Sequence, residues 1–353
     1  MRTNIPIMMQ NSSMPHRFSG NIAVNLFVAV GCILAALFVA QYSSVYSSDA
    51  DEYRLIYDSI AFDSIVSYSY QRSEFFYFLW NQAIGWFGVS FETFLFISTL
   101  LFLGLKLVAF RRLSHGASLT LIFLVYVALF FLLHESIQYK ISWALAIAAW
   151  ACVFISERRF VAAILLTGLA AGFHVTSVAL PFAFFVSSYV FKSNASKIGL
   201  AVGAVLLYPV VPFLLEHAMD IIAIADPRYV DYISASRLAN QNSSDLFYPY
   251  LLLMGLFVMY ISYNAFRSFF EAIRAQTLML YASVGILVLL NGYVSMASRL
   301  SDVLAVLLVP VLSNLLAHEG QNRWMLKSAI FFFCAVILVV RLHYHWGFFD
   351  FEL

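Results

Sequence analysis

FFYFLWNQAIGWFGV, Phe75 to Val89, is the stretch on which the topology turns. It is aromatic and apolar, yet it holds Asn81, Gln82 and two glycines and is shorter than the roughly 20 residues a spanning helix needs. Eleven longer or cleaner apolar runs surround it, at 21–41, 91–110, 117–133, 141–156, 160–175, 177–191, 198–215, 248–266, 276–296, 302–317 and 328–342. If Phe75–Val89 does not cross, thirteen cations share one side: Arg2, Arg17, Lys106, Arg111, Arg112, Arg158, Arg159, Lys192, Lys197, Arg267, Arg274, Arg323 and Lys327. Of the 19 acids only Glu157, Glu271 and Glu319 join them. Positive charge accumulates on the cytoplasmic side, so that side is inside. Were the segment to cross, Arg111 and Arg112 would flip outward and the pattern would break. The charges therefore make it a re-entrant or interfacial helix.

Composition agrees. The chain of 353 residues is 62% hydrophobic and 11% charged, with mean hydropathy +0.85. About a quarter of a soluble domain is charged, so this chain lacks the charge to cover a globular surface in water. The expected fold is all-α and polytopic: about eleven transmembrane helices plus the short helix, in one membrane domain over residues 1–353. The first run reads as an uncleaved helix, because Phe38 spoils the small-residue cleavage site that a signal peptide requires. The N-terminus is expected in the cytoplasm and the C-terminus outside. Cys32, Cys152 and Cys334 lie in apolar runs without ligand spacing and read as small hydrophobes. Nothing implies a metal, a nucleotide or a nicotinamide cofactor, and no basic stripe implies nucleic acid. Gly168/Gly172 and Gly199/Gly203 suggest close helix packing.

Hydrophilic sequence gathers in two outer loops, 42–74 and 216–247, and at helix mouths. Ionisable groups near a membrane are costly and become functional candidates. HESIQYK, His134 to Lys140, is the densest cluster: His134 and Gln138 share a helix face, as do Ser136 and Lys140. It could hold a polar ligand and move a proton, or be a short hydrated loop. Arg72 and Glu74 flank the short helix, as a site or as a surface pair. His174 lies between two apolar runs, as a catalyst or as a packed histidine. Arg299 and Asp302 sit three apart, paired with each other or with the guanidinium gripping a phosphate. Asp51, Tyr53 and Tyr57 suit sugar binding, or form a solvated helix on the membrane.

In order, these features resemble the EpsG-type family of bacterial exopolysaccharide polymerases, similar in role to Wzy O-antigen and capsule polymerases. The resemblance rests on Asp51, Tyr53 and Tyr57; on Glu74-Phe75-Phe76; on His134-Glu135-x-x-Gln138-x-Lys140 before an Ala-rich helix; on Phe173, His174 and Ser177; and on Arg299 opening a late helix. It spans roughly Asp49 to Pro310. One position departs: Lys140 stands where the pattern has arginine, keeping the charge but not the planar fork.

The resemblance implies a glycosyltransferase-type enzyme that polymerises polyprenyl-diphosphate-linked oligosaccharides at the outer face of the inner membrane. It implies Glu135 or Glu74 as base, with His134 beside them. Arg299, Arg72 and Lys140 would hold the diphosphate. Gln138, His174, Asp51, Tyr53, Tyr57 and Asp302 would contact or position substrate. A chain-length regulator and a flippase fit as partners. The competing classes are a lipid-linked oligosaccharide flippase or transporter, which should show two similar halves, and a membrane O-acyltransferase using His174.

Overall fold

The computed structural model describes residues 22–46, 50–60, 74–114, 117–190, 257, 270–289, 294–317 and 324–346. Among them every regular element is helical. The order is α1 (Ile22–Tyr46), α2 (Ala50–Ile60), α3 (Phe75–Gly85), α4 (Phe91–Leu113), α5 (Leu119–Tyr126), α6 (Tyr139–Ser156), α7 (Phe160–Phe173) and α8 (Ala179–Tyr189). Then come α9 (Phe270–Leu289), α10 (Val294–Ala305), α11 (Leu308–Ala317) and α12 (Trp324–Trp346). Helix α5 continues through a π turn, Val127–Phe131, into a last turn, Leu132–His134. A 3₁₀ turn, Val175–Val178, links α7 to α8.

Five stretches are long and apolar enough to cross a membrane: Asn25–Ser43, Phe91–Leu113, Tyr139–Ser156, Arg299–Ala317 and Trp324–Leu342. Shorter apolar helices stand beside them, as expected of a multi-pass membrane protein. The expected spans at 198–215 and 248–266, the 216–247 loop and the Gly199/Gly203 pair lie outside the described residues, Phe257 apart. The three cysteines are buried and free.

Helix α6 occupies the centre. Ala144, Ala146, Ala148, Ala149 and Ala151 are all fully buried; these small side chains let α4, α7 and α8 pack against α6 closely. Helices α4 and α6 run in the same direction. Trp150 Nε1 donates to the Leu105 carbonyl at 3.0 Å, and Arg112 reaches Glu157 at 3.2 Å one step further along both. Ser90 caps α4 by accepting from Thr93 N. Arg111 and Arg112 complete its last turn, where the helix dipole favours cations.

Helix α3 has 11 residues, about 16 Å at 1.5 Å per residue. That is roughly half of a ~30 Å hydrocarbon core, so α3 cannot cross alone. It forms a hairpin with α4: Trp80 Nε1 donates to Ser98 Oγ at 2.8 Å, and the turn between them uses Gly88 in the left-handed region at φ 65°. On its other flank Phe76 fills the space beside Gly172, where a Cβ would come within 2.1 Å of the ring. Gly172 is thus a close-packing glycine, whereas nothing approaches within 4 Å of a Cβ at Gly168.

Several other helices are short. Helix α7 has 14 residues, about 21 Å, and starts beside the Arg112–Glu157 end of the bundle. Its far tip, His174, therefore falls short of the opposite end. The HESIQYK turn is also recessed, with residues 131–137 all buried. The alternative of a hydrated loop is corrected here: apolar helices enclose the turn. Lys106, counted above with the cytoplasmic cations, is likewise inside the bundle and fully buried. Its ammonium reaches back along α4 to this same turn.

Candidate active site

The HESIQYK turn divides its charges between two clusters. Glu135 points into the bundle. Its Oε1 accepts from Lys106 Nζ at 2.7 Å and from the Tyr126 hydroxyl at 2.7 Å. Lys106 also donates to Tyr126 OH at 2.7 Å and Ser142 Oγ at 2.6 Å. An ammonium has three protons, so this one is saturated. Both charged side chains are 0% exposed. His134 stacks on Phe130 with centroids 5.1 Å apart. Its two ring nitrogens, Glu135 Oε2 and Ser136 Oγ have no hydrogen-bond partner among the described residues.

Lys140 belongs to the second cluster. Its Nζ lies 2.9 Å from Glu74 Oε2, and it sits over the rings of Tyr53 and Tyr77 at 4.8 and 5.2 Å. The other Glu74 oxygen, Oε1, is 2.9 Å from His174 Nδ1. Three residues separated by 66 and 100 positions thus meet at one carboxylate. Side-chain exposure is 13% for Glu74, 12% for Lys140 and 20% for His174, so the cluster is recessed but open.

Local structure explains the meeting. Glu74 caps the start of α3, Lys140 is in the first turn of α6, and His174 ends α7 in an extended conformation. Burial raises the Glu74 carboxyl, but the hydrogen bond from His174 and the charge and hydrogen bond of Lys140 outweigh it and hold it down at about 2. Glu74 is therefore an anion at any ordinary pH. An ionised carboxylate only accepts hydrogen bonds, which fixes the proton of a neutral His174 on Nδ1 and leaves the Nε2 lone pair available. No described residue bonds Nε2.

The remaining candidates sit as follows. Tyr53 is buried in this cluster, with its ring 4.2 Å from that of Tyr139. Tyr57 is packed on Phe94 and donates to the Val89 carbonyl at 2.9 Å. Asp51 is on the exposed side of α2, so this amphipathic helix covers the site with its tyrosine face. An ion pair between Arg54 and Glu92 ties α2 to α4. Gln138 is partly exposed and caps α6 through its backbone. Asp302 accepts from Arg341 of α12 at 3.3 Å, a cation the sequence reading did not single out. Arg299 is half-buried on α10, and Arg72 lies outside the described residues. Among the described residues, no cluster of three His, Cys, Asp or Glu could hold a metal.

Lys106 and Arg341 were the residues missed. The signal was present: each is a cation flanked on both sides by apolar residues of a helix, a position that is costly without a partner or a function.

The profile of the EpsG family matches residues 24–351. The chain belongs to the EpsG family. No curated protein and no solved structure matches it.

Proposed function

We propose that this EpsG-family protein joins polyprenyl-diphosphate-linked oligosaccharide units into a polysaccharide at the outer face of the bacterial inner membrane. The observation that carries this reading is the Glu74–His174 pair, open at Nε2 and flanked by Lys140 between two tyrosine rings. Such a pair is the machinery of a general base. The carboxylate orients the imidazole and stabilises the imidazolium once a proton arrives.

In the proposed step the acceptor hydroxyl oxygen forms a bond to the anomeric carbon of the growing chain. Its proton passes to His174 Nε2. The bond from that carbon to the diphosphate oxygen breaks, and the electron pair leaves with the polyprenyl diphosphate. No nucleotide is needed, because the leaving diphosphate drives the transfer. Glu74 stays charged throughout; a carboxyl at about 2 is too weak a base to take the proton itself. Glu135 is the less favoured base, since Lys106 and Tyr126 occupy one oxygen and the bundle encloses the other. Lys140 is held by Glu74 and two rings, and Arg299 has the planar fork that matches diphosphate oxygens, so Arg299 is the preferred diphosphate partner. Tyr53 and Tyr77 are buried and pack against Lys140, so they hold the ammonium in place beside Glu74.

His174→Gln in cells should abolish long polysaccharide while single units still reach the outer leaflet and the protein stays in the membrane. Units trapped on the cytoplasmic leaflet would instead mark a flippase. Long chains made by His174→Gln would remove the base assignment.

A further inference from the structure

We propose that Lys140 is the residue that keeps His174 uncharged at rest, and so able to accept a proton, rather than a holder of diphosphate. Lys140 Nζ donates to Glu74 Oε2 at 2.9 Å, and His174 Nδ1 lies 2.9 Å from Oε1 of the same carboxylate. One anion is therefore shared by an ammonium and an imidazole. The rings of Tyr53 and Tyr77 hold the ammonium, with centroids 4.8 and 5.2 Å from Nζ. Lys140 also stands in the first turn of α6, where the helix dipole disfavours a cation. A lysine fixed at that unfavourable position, bonded to the carboxylate that His174 uses, is placed where its charge acts on the imidazole.

The two neighbours act on His174 in opposite directions. A carboxylate beside an imidazole favours the imidazolium, and a cation nearby disfavours it. An imidazolium carries a proton on both ring nitrogens, which leaves no lone pair at Nε2 for the acceptor hydroxyl. Without Lys140, the pair would draw a proton to the imidazole before substrate arrives. Glu74 would remain an anion in that case, because it stands at the start of α3, where the dipole favours negative charge. The titratable groups on helices packed against α7 and its 3₁₀ turn are Glu74 and Tyr77 from α3, Tyr139 and Lys140 from α6, and Arg299 and Asp302 from α10. Helix α4, which meets α7 at Phe102 and Phe173, adds Lys106, bonded to Glu135; α8 brings no charged residue. Those charges are the same with or without Lys140, so replacing Lys140 isolates its effect. Lys140 acts through Glu74 and is a positioning residue; the base is His174, as in the function proposed above, on which this role rests.

The test is modification of His174 by diethyl pyrocarbonate in the purified full chain in nanodiscs, read by mass spectrometry across the ordinary histidine range, about pH 5.5 to 8.5. The reagent takes only the uncharged ring. Lys140→Met and Lys140→Gln should each move the modification curve to higher pH, lowering labelling at about pH 6 by about fivefold or more, the scale of one pH unit. Lys140→Arg, which retains the charge, should keep the wild-type curve. Glutamine still offers Glu74 an N–H, so a methionine variant that fails to fold does not decide the result. A wild-type curve in folded Lys140→Gln overturns the proposal, as does an equal displacement in Lys140→Arg. Weakened binding of a lipid diphosphate with the curve unmoved also overturns it and makes Lys140 a phosphate ligand. A displaced curve in a protein that makes no polymer keeps the role of Lys140 and removes the proposed function.

Discussion

Glu135 and Lys140 stand five residues apart on one turn, and each is half of a lysine–carboxylate pair. The pairs have opposite surroundings. Lys106–Glu135 is sealed, with both side chains 0% exposed and every ammonium proton bonded. Glu74–Lys140 is 12–13% exposed and shares its carboxylate with His174, whose second ring nitrogen is open. In a sealed pair the attraction must offset the removal of two charges from water, so losing one partner strands the other. In an open pair water screens the loss, and the groups stay accessible to a substrate. Identical chemistry thus holds the turn in one place, and in the proposed function serves the reaction in the other.

Removing one partner from each pair is the sharpest way to break this contrast. Lys106→Met should cost about 3–5 kcal/mol, the usual effect of stranding a buried charge, seen as loss of folded protein in detergent. Adding Glu135→Leu should restore most of it. Lys140→Met should cost less than Lys106→Met, because His174 still bonds Glu74 and the cluster is partly open to water, and should lower polymer yield instead. Equal stability losses for Lys106→Met and Lys140→Met would collapse the distinction.

Acid titration probes the open cluster. The Glu74 carboxyl is at about 2 folded against an ordinary 4.5, roughly 3 kcal/mol of stability at neutral pH. Because its folded value is depressed, that contribution is complete above 4.5 and fades as pH falls through 2. The stability gap between wild type and Glu74→Gln in thermal melts should therefore be widest above pH 5 and close toward pH 2. A gap that widened with acid would refute the ion pair.

Gly172→Ala forces a methyl against Phe76. Overpacking of this kind costs about 1–3 kcal/mol. Since α3 carries Glu74 at its start, polymer output should drop more than membrane level. Ser142→Ala, the smallest change, removes one of three bonds to Lys106 and should lower stability by about 1 kcal/mol; unaltered activity in the folded fraction would agree with a structural role.

Much of this site was legible in the sequence as parts but not as an arrangement. HESIQYK, Glu74 and His174 announced themselves as polar residues in apolar surroundings, and the short Phe75–Val89 segment betrayed its inability to cross. The pairing could not be read. Glu74 meets residues 66 and 100 positions away, and local spacing says nothing about contacts at that separation. Within the turn, helical spacing grouped Ser136 with Lys140, yet the functional division lies between Glu135 and Lys140 because α6 begins at Tyr139. Lys106 was absorbed into a count of inside charges, six residues from the Arg111–Arg112 boundary, although its side chain runs the other way along α4. Arg299 and Asp302 suggested each other by proximity, while Asp302 is bonded by a cation from another helix.

The most direct test of the central claim is polymerisation by the purified protein in vesicles, supplied with lipid-diphosphate-linked repeat units, comparing wild type with His174→Gln. Loss of a positioned base should slow elongation by about 10²–10⁴-fold, with the protein still folded and donor binding unchanged. Elongation at the wild-type rate by His174→Gln would contradict it.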